Sequence, residues 1–263
     1  MNLHDIRAFL LDMDGTVYLG PHPLPGAAAF IAWLEEQQIP FLFLTNNPSV
    51  DAARYSRKLA AMGIAAGPEH ILSSGAATAD YLVKKTPWRK LFALGTQCFE
   101  DELERAGLIL EKNDPEAVVI SFDTTLTYAK LERACLLLRE GVPYIATNPD
   151  RVCPTEYGYI PDCGAIAALI ESATGRTPRY IGKPEAAFAQ QALDRLGVDA
   201  AHTAMVGDRL YTDIEMARRA GLAGILVLSG ETKKADLDAA TQPPDFVFDS
   251  VQALHEALLD TPA

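Results

Sequence analysis

Cysteine and histidine are scarce in this chain of 263 residues, and neither type is clustered. The four cysteines form no CxxC pair and have no histidine beside them, so the pattern argues against a zinc site. No G-x-S-x-G or G-x-G-x-x-G motif occurs, which argues against a serine-hydrolase elbow and a dinucleotide fingerprint.

Long apolar runs and an excess of positive charge are also missing. No run of about 18 apolar residues occurs, so we expect no membrane span. Met1–Asp5 lacks the basic and apolar regions of a signal peptide, so with free thiols a cytoplasmic protein is expected. The net charge of −12 argues against nucleic acid as a partner, because phosphate backbones are bound by basic surfaces.

Alternation of apolar runs and amphipathic segments dominates the rest of the chain. Ala8–Leu11 and Ile39–Leu44 have the composition of buried parallel strands, and Gly26–Gln37 between them has apolar residues at helical spacing. This rhythm predicts an α/β fold with a parallel sheet. Near Ser73 the pattern changes and all four cysteines follow, which indicates a separate middle module.

Two acids follow the first predicted strand directly. Asp12 and Asp14 stand at alternate positions of an extended chain, so both carboxylates are expected to point the same way. Two carboxylates in a small space require a cation or a proton between them. Gly15 allows the backbone to turn sharply or to approach a ligand closely. On this stretch alone, an ordinary Asx turn is an equally good interpretation.

Three further polar groups stand at predicted strand ends or helix starts: Thr45–Asn47, Lys183, and the acids Asp208 and Asp213. Several carboxylates at one sheet edge suit Mg²⁺, while a hydroxyl and amides at a helix start suit phosphate. A lysine supplies the positive charge that an acidic protein otherwise lacks. Each group alone is more often a turn, a cap or a surface side chain. Their joint occurrence in this order indicates phosphoryl transfer.

At this point the sequence resembles the haloacid dehalogenase superfamily over nearly its full length. The resemblance lies in four motifs, Asp12–Thr16, Thr45–Asn47, Gly182–Pro184 and Gly207–Asp213. The chain is further similar to the NagD-type, nitrophenylphosphatase-like branch through segments 122–131 and 146–150. That branch implies a Rossmann-like core, residues 1–78 and 180–263, with an inserted α/β cap, residues 79–179.

The resemblance also implies roles for the acids. Asp12 would be the nucleophile, and Asp14 would protonate the leaving oxygen and then activate water. Mg²⁺ would bind the carboxylates of Asp12 and Asp208 and the main-chain carbonyl of Asp14. Asp213 would not bind the metal directly and would lie in the shell of residues around these ligands.

Phosphate and substrate contacts are implied for a second group of residues. Thr45 and the Asn46 amide would hold phosphate oxygens together with Asn47. Lys183 would neutralise negative charge on the phosphate and on Asp12. The Pro- and Gly-rich loop from Asn148 to Gly164 is expected to have irregular backbone facing the leaving group. Its candidate contacts are Arg151, Cys153, Tyr157 and Tyr159.

The expected function is therefore a Mg²⁺-dependent phosphomonoester hydrolase that acts through an aspartyl-phosphate on a small phosphorylated metabolite. A non-catalytic phosphate-ligand binding or regulatory protein and a phosphotransferase to an alcohol remain as alternatives. A dehalogenase is disfavoured, because Asp14 would have no leaving alcohol to protonate. Sugar phosphates, nucleotides, phosphoglycolate and pyridoxal phosphate all stay open as substrates. Caps of this size often pair, so a homodimer through the cap is an expectation.

Overall fold

Apolar runs and amphipathic segments alternate along the chain as strands and helices in the computed structural model, which describes residues 2–155, 157–237 and 243–260. The strands are β1 (Ala8–Asp12), β2 (Tyr18–Leu19), β3 (His22–Pro23), β4 (Phe41–Thr45), β5 (Ile71–Ser73), β6 (Lys90–Leu94), β7 (Ile109–Leu110), β8 (Ala117–Ile120), β9 (Tyr144–Ala146), β10 (Val152–Thr155), β11 (Gly158–Pro161), β12 (Arg179–Tyr180), β13 (Thr203–Gly207), β14 (Ala223–Val227) and β15 (Phe246–Phe248). The helices are α1 (Ala27–Glu36), α2 (Ala52–Ala61), α3 (Ser74–Lys85), α4 (Gln97–Arg105), α5 (Tyr128–Arg139), α6 (Cys163–Thr174), α7 (Ala186–Leu196), α8 (Glu215–Ala220), α9 (Lys234–Leu237) and α10 (Val251–Leu259).

These elements form two compact units. The first unit comprises Met1–Thr45, Ala52–Leu72 and Lys183–Ala263, and the second unit comprises Asn46–Asp51 and Ser73–Gly182. Among the described residues, no helix combines the length and the apolar composition needed to cross a membrane.

The first unit is built on a six-stranded sheet in the order β15-β14-β13-β1-β4-β5. β1 lies between β13 and β4 and runs parallel to both. All five residues of each of these three strands are buried. Strands that are buried on both faces are near-continuously apolar in α/β proteins, which is why Ala8–Leu11 predicts a strand.

The second unit has its own five-stranded sheet in the order β12-β9-β8-β6-β7, in which all neighbours are parallel. Its apolar core includes Val118 and Ile120 from β8, Leu137 from α5 and Ile170 from α6. Both units therefore have the α/β architecture with parallel sheets that the sequence predicts.

Two details of the sequence interpretation are wrong. The segment expected to be irregular between Asn148 and Gly164 contains an antiparallel hairpin, β10–β11, in which Cys153 pairs with Ile160. A serine ahead of a helical segment predicts an N-cap, and Ser49 is such a residue, but it instead donates two hydrogen bonds to the Asn47 side chain, and α2 begins at Ala52. The error at Ser49 concerns competition between a side chain and the backbone, which apolar periodicity does not detect.

Candidate active site

The carboxyl ends of three adjacent strands in the first unit bring together polar residues far apart in sequence. β1 ends at Asp12, β4 ends at Thr45, and β13 ends at Gly207, directly before Asp208. Because β1 is parallel to both neighbours, these ends lie at one edge of the sheet. Ligands of open α/β sheets bind at this edge.

Lys183 lies among the carboxylates at this edge. Its Nζ is paired with Asp12 Oδ1 and lies 2.7 Å from Asp213 Oδ1. Asp12, Asp208 and Asp213 each offer a carboxylate oxygen within 4.8 Å of the others. All four side chains are buried. One buried cation is therefore paired with two of three neighbouring buried carboxylates.

The pKa values of these groups are shifted by burial and by the neighbouring charges. Burial raises the pKa of Asp208, and Asp12 and Asp213 raise it further. Burial also raises the pKa of Asp213, although Lys183 opposes the shift. Burial alone would lower the pKa of Lys183, but Asp12 and Asp213 outweigh it and the pKa is raised. The cluster thus has an excess of negative charge in a region with little water to screen it.

The donor set fits a hard divalent cation. Asp208 Oδ1 is buried and accepts no hydrogen bond from any residue that the structure describes. Its other oxygen, Oδ2, accepts the Glu231 N–H at 2.6 Å. A Cβ at Gly15 would lie 2.4 Å from Asp208 Oδ2, so the carboxylate fits only against a glycine. Closely spaced carboxylate oxygens, one of them without a donor, are what Mg²⁺ binds.

Asp14 lies two residues beyond Asp12 but outside this three-carboxylate group. Burial and the charge of Asp12 raise its pKa to about 6, while Lys58 and Arg209 oppose the shift. The adjacent Gly15 N–H donates to the Tyr18 carbonyl at 2.7 Å, which fixes the turn. A carboxyl group with this pKa can donate and accept a proton near neutral pH.

Thr16 and Arg209 belong to the quoted motifs, but the sequence assigned them no role. The fully buried Thr16 donates from Oγ1 to Asp12 Oδ2 at 3.5 Å. The Arg209 N–H donates to Asp213 Oδ2 at 3.1 Å, within a π-helical turn over Leu210–Ile214. Such turns inside helices are frequent at functional sites. Thr16 and Arg209 lie inside the quoted motifs, and this position is the signal by which the sequence could have indicated a role for them.

Asn46 and Asn47 belong to the second unit, where their side chains have partners. Asn46 Nδ2 lies 3.2 Å from both carboxylate oxygens of Asp150. The Asn46 carbonyl accepts hydrogen bonds from Ser74 Oγ and Asn148 Nδ2 at 2.6 and 2.7 Å. The buried Asn46 is therefore fixed in place.

The remaining predicted substrate residues lie on or beside the β10–β11 hairpin of the second unit. Arg151 precedes the hairpin and is exposed. Tyr157 and Tyr159 are 97% and 70% exposed, whereas Cys153 is partly buried against the unit's core. Cys153 Sγ lies 3.9 Å from Asn47 Nδ2. The hairpin thus presents two tyrosines to solvent and holds Cys153 beside Asn47.

Comparison with known proteins places this geometry in a family. Residues 9–109 match the family described as haloacid dehalogenase-like hydrolase, and residues 180–254 match a HAD-hydrolase-like family. An acid sugar phosphatase of Staphylococcus aureus is 38% identical over 256 residues, which is 97% of each chain.

Solved structures agree with the sequence relatives. The 4-nitrophenylphosphatase of Thermotoga maritima has 43% identity and a TM-score of 0.94, covering 97% of this chain and 98% of that one. NagD from Escherichia coli K-12 has 32% identity and a TM-score of 0.89, covering 94% and 97%. This chain therefore belongs to the haloacid dehalogenase-like hydrolase family. It is a phosphatase, and its branch is the NagD-type branch that its motifs predict.

Proposed function

We propose that this phosphatase is a Mg²⁺-dependent phosphomonoester hydrolase that forms an aspartyl-phosphate on Asp12. The observation that supports this most strongly is the buried Asp12 carboxylate, paired with Lys183 beside Asp208 and Asp213. A carboxylate nucleophile needs no base at neutral pH, but it must approach an anionic substrate. Positive charge at the site makes that approach feasible.

In the first step, one Asp12 oxygen attacks phosphorus, and the bond from phosphorus to the ester oxygen breaks. Asp14 gives its proton to that oxygen, so the alcohol leaves neutral. Lys183 stays beside Asp12 and stabilises the charge on the transferred phosphoryl group. The products of this step are an alcohol and phosphorylated Asp12.

In the second step, water attacks the phosphorus of phosphorylated Asp12. The Asp14 carboxylate accepts a proton from this water, and the bond between phosphorus and the Asp12 oxygen breaks. Inorganic phosphate leaves, and both acids return to their starting forms. The net reaction is hydrolysis of one ester bond by one water molecule.

The carboxylates of Asp12 and Asp208 and the main-chain carbonyl of Asp14 would hold Mg²⁺. Bound there, the ion would neutralise part of the charge between the nucleophile and the phosphate. Asp213 would hold Lys183 and the Arg209 N–H in place, which matches its contacts with both groups.

Thr45, the Asn46 N–H and Asn47 would bind phosphate oxygens. For Thr45, this proposal is supported by its place at the end of β4, next to the strand that carries Asp12. The proposed roles of Asn46 and Asn47 depend on the motif alone, since both belong to the second unit.

The preferred substrate is proposed to be a sugar phosphate, with 4-nitrophenyl phosphate as an activated test ester. The names of the Staphylococcus aureus and Thermotoga maritima relatives support this choice. The second unit would act as the cap, and the residues at its hairpin, Arg151, Cys153, Tyr157 and Tyr159, would select the leaving group. A cytoplasmic location and a homodimer paired through the cap stay predictions.

The decisive experiment is a phosphate-release screen over many phosphomonoesters, with Mg²⁺ and with a chelator. We expect turnover of sugar phosphates that the chelator abolishes. Asp12→Asn should lower turnover about 10⁴-fold or more, because it removes the nucleophile with little change in volume. Asp199→Asn, at an exposed position of the first unit, is the matched control and should keep full activity. Comparable turnover by Asp12→Asn and wild type would refute the mechanism.

A further inference from the structure

The loop that follows β14 holds Asp208 by its backbone. The Glu231 N–H donates to Asp208 Oδ2 at 2.6 Å, and the Thr232 N–H donates to the Asp208 carbonyl at 3.2 Å. A Cβ at Gly230 would lie 2.0 Å from Asp208 Oδ2, so the loop reaches this carboxylate only with glycine there. Ser229 Oγ donates to the Gly15 carbonyl at 2.8 Å, which joins the same loop to the turn after Asp14.

The side chain of Glu231 returns to the segment that carries Asp208. Its Oε2 lies 2.9 Å from Arg209 Nε, and its Oε1 accepts the Tyr211 hydroxyl at 2.8 Å. Glu231 therefore contacts three residues of one short segment, Asp208 through its main chain and Arg209 and Tyr211 through its carboxylate. This double connection fixes the distance between the loop and the segment.

We propose that Glu231 is a positioning residue for the metal site, an inference that rests on the proposed function. The side-chain contacts of Glu231 hold its main chain in place, so that its N–H donates to Asp208 Oδ2. Asp208 Oδ1 is then the oxygen that has no donor among the described residues. The Asp208 carboxylate is thereby held in one orientation before a cation arrives. Loss of a group that contacts a metal ligand directly typically changes metal affinity by about 10- to 100-fold, so loss of a side chain that only holds such a group should change it less.

The proposed role is one of orientation and not of stability. The Glu231 side chain is 37% exposed, and ion pairs that reach solvent contribute little to folding. Loss of the side chain should therefore leave the melting temperature nearly unchanged. It should still free the loop that donates to Asp208.

The test is the Mg²⁺ dissociation constant, measured by calorimetry in the absence of substrate, together with the melting temperature of each variant. Glu231→Ala should weaken Mg²⁺ binding about 3- to 5-fold, because the main-chain N–H donor to Asp208 remains and only the contacts that hold it in place are lost. Glu231→Gln keeps an acceptor for Tyr211 and should lie between Glu231→Ala and wild type. Glu215→Ala is the matched control, because Glu215 pairs with Arg218 and Arg219 in the same unit, and its Mg²⁺ affinity should not change.

An unchanged Mg²⁺ constant for Glu231→Ala would overturn the inference, and so would an equal loss in Glu215→Ala. Either result with an active, Mg²⁺-binding wild type would leave the proposed function standing. A wild-type protein that neither binds Mg²⁺ nor releases phosphate would overturn the proposed function and this inference with it.

Discussion

The two units share an architecture but treat buried acids differently. In the second unit, Asp123 accepts hydrogen bonds from the backbone and side chain of Thr125 on one oxygen, and from Lys130 on the other. Asp162 caps the start of α6, and Asp150 faces the Asn46 amide. Each of these buried carboxylates has nearby donors of its own.

The first unit has three buried carboxylates close together, of which Asp12 and Asp213 share Lys183, and Asp208 Oδ1 has no donor among the described residues. Desolvation and mutual repulsion raise the pKa values of Asp208 and Asp213. Groups crowded in this way cost stability, and natural proteins keep them where chemistry needs them. The carboxylates of the second unit have separate donors, whereas Asp12 and Asp213 of the first unit share Lys183, and this difference supports the first unit as the place of the proposed chemistry.

The largest expected effect comes from removing the shared cation. Lys183→Met should lower turnover about 10³-fold and destabilise the protein by about 3–5 kcal/mol, because the buried Asp12 and Asp213 lose the cation that pairs with them. Urea unfolding and 4-nitrophenyl phosphate kinetics measure the two effects. Lys84→Met is the control, since its ion pair with Asp80 is exposed. If Lys183→Met turned over substrate as fast as wild type, the buried charges of the first unit would not serve catalysis and the proposed difference between the units would be wrong.

A smaller effect is expected from the corresponding change in the second unit. Lys130→Met removes the donor at one oxygen of the buried Asp123, which still keeps its two bonds from Thr125. Stability should fall by about 1–3 kcal/mol. Turnover of 4-nitrophenyl phosphate and Mg²⁺ affinity should stay near wild type. A loss of Mg²⁺ affinity here would show that the two units do not divide structural from catalytic acids.

The smallest effect concerns a basic group of the first unit outside the site. His255 packs on Phe30 and Trp33 with ring centroids 5.7 and 5.2 Å away, and burial lowers its pKa. Between the lowered folded pKa and the ordinary value of 6.5, the unfolded chain binds more protons. Stability from this group should therefore fall as pH drops below 6.5, and His255→Leu should flatten that slope. If the free energy of unfolding changed equally with pH in wild type and His255→Leu, this explanation would be contradicted.

Much of the fold and of the site follows from local patterns. Buried strands such as Ala8–Leu11 are visible as apolar runs, and the acids that follow them are expected at the sheet edge because parallel strands share it. That reasoning predicts Asp12 and Asp208 near each other without any three-dimensional information. It also predicts a lysine near them, because an anionic substrate requires positive charge.

Other features could not be predicted, either because they depend on long-range geometry or because the local composition favours a different structure. The loop at Ser229–Glu231 follows a strand like many others, and only the structure places Glu231 against Asp208. The β10–β11 hairpin contains Pro154 and Pro161, which favour an irregular loop in the sequence. The pairing of Lys183 with Asp213 as well as Asp12 likewise required coordinates.

The buried carboxylates of the first unit are proposed to be arranged for a divalent cation. The most direct test compares the thermal stability of wild type and Asp208→Asn, each with a chelator and with Mg²⁺. With the chelator at about pH 9, above the raised pKa of Asp208, Asp208→Asn should be the more stable protein, because the costly ionised form of this carboxyl is gone. Mg²⁺ at about 100 times its dissociation constant should stabilise wild type by about 2.7 kcal/mol and leave the variant unchanged. Equal stabilisation of both proteins, or of neither, would contradict the account.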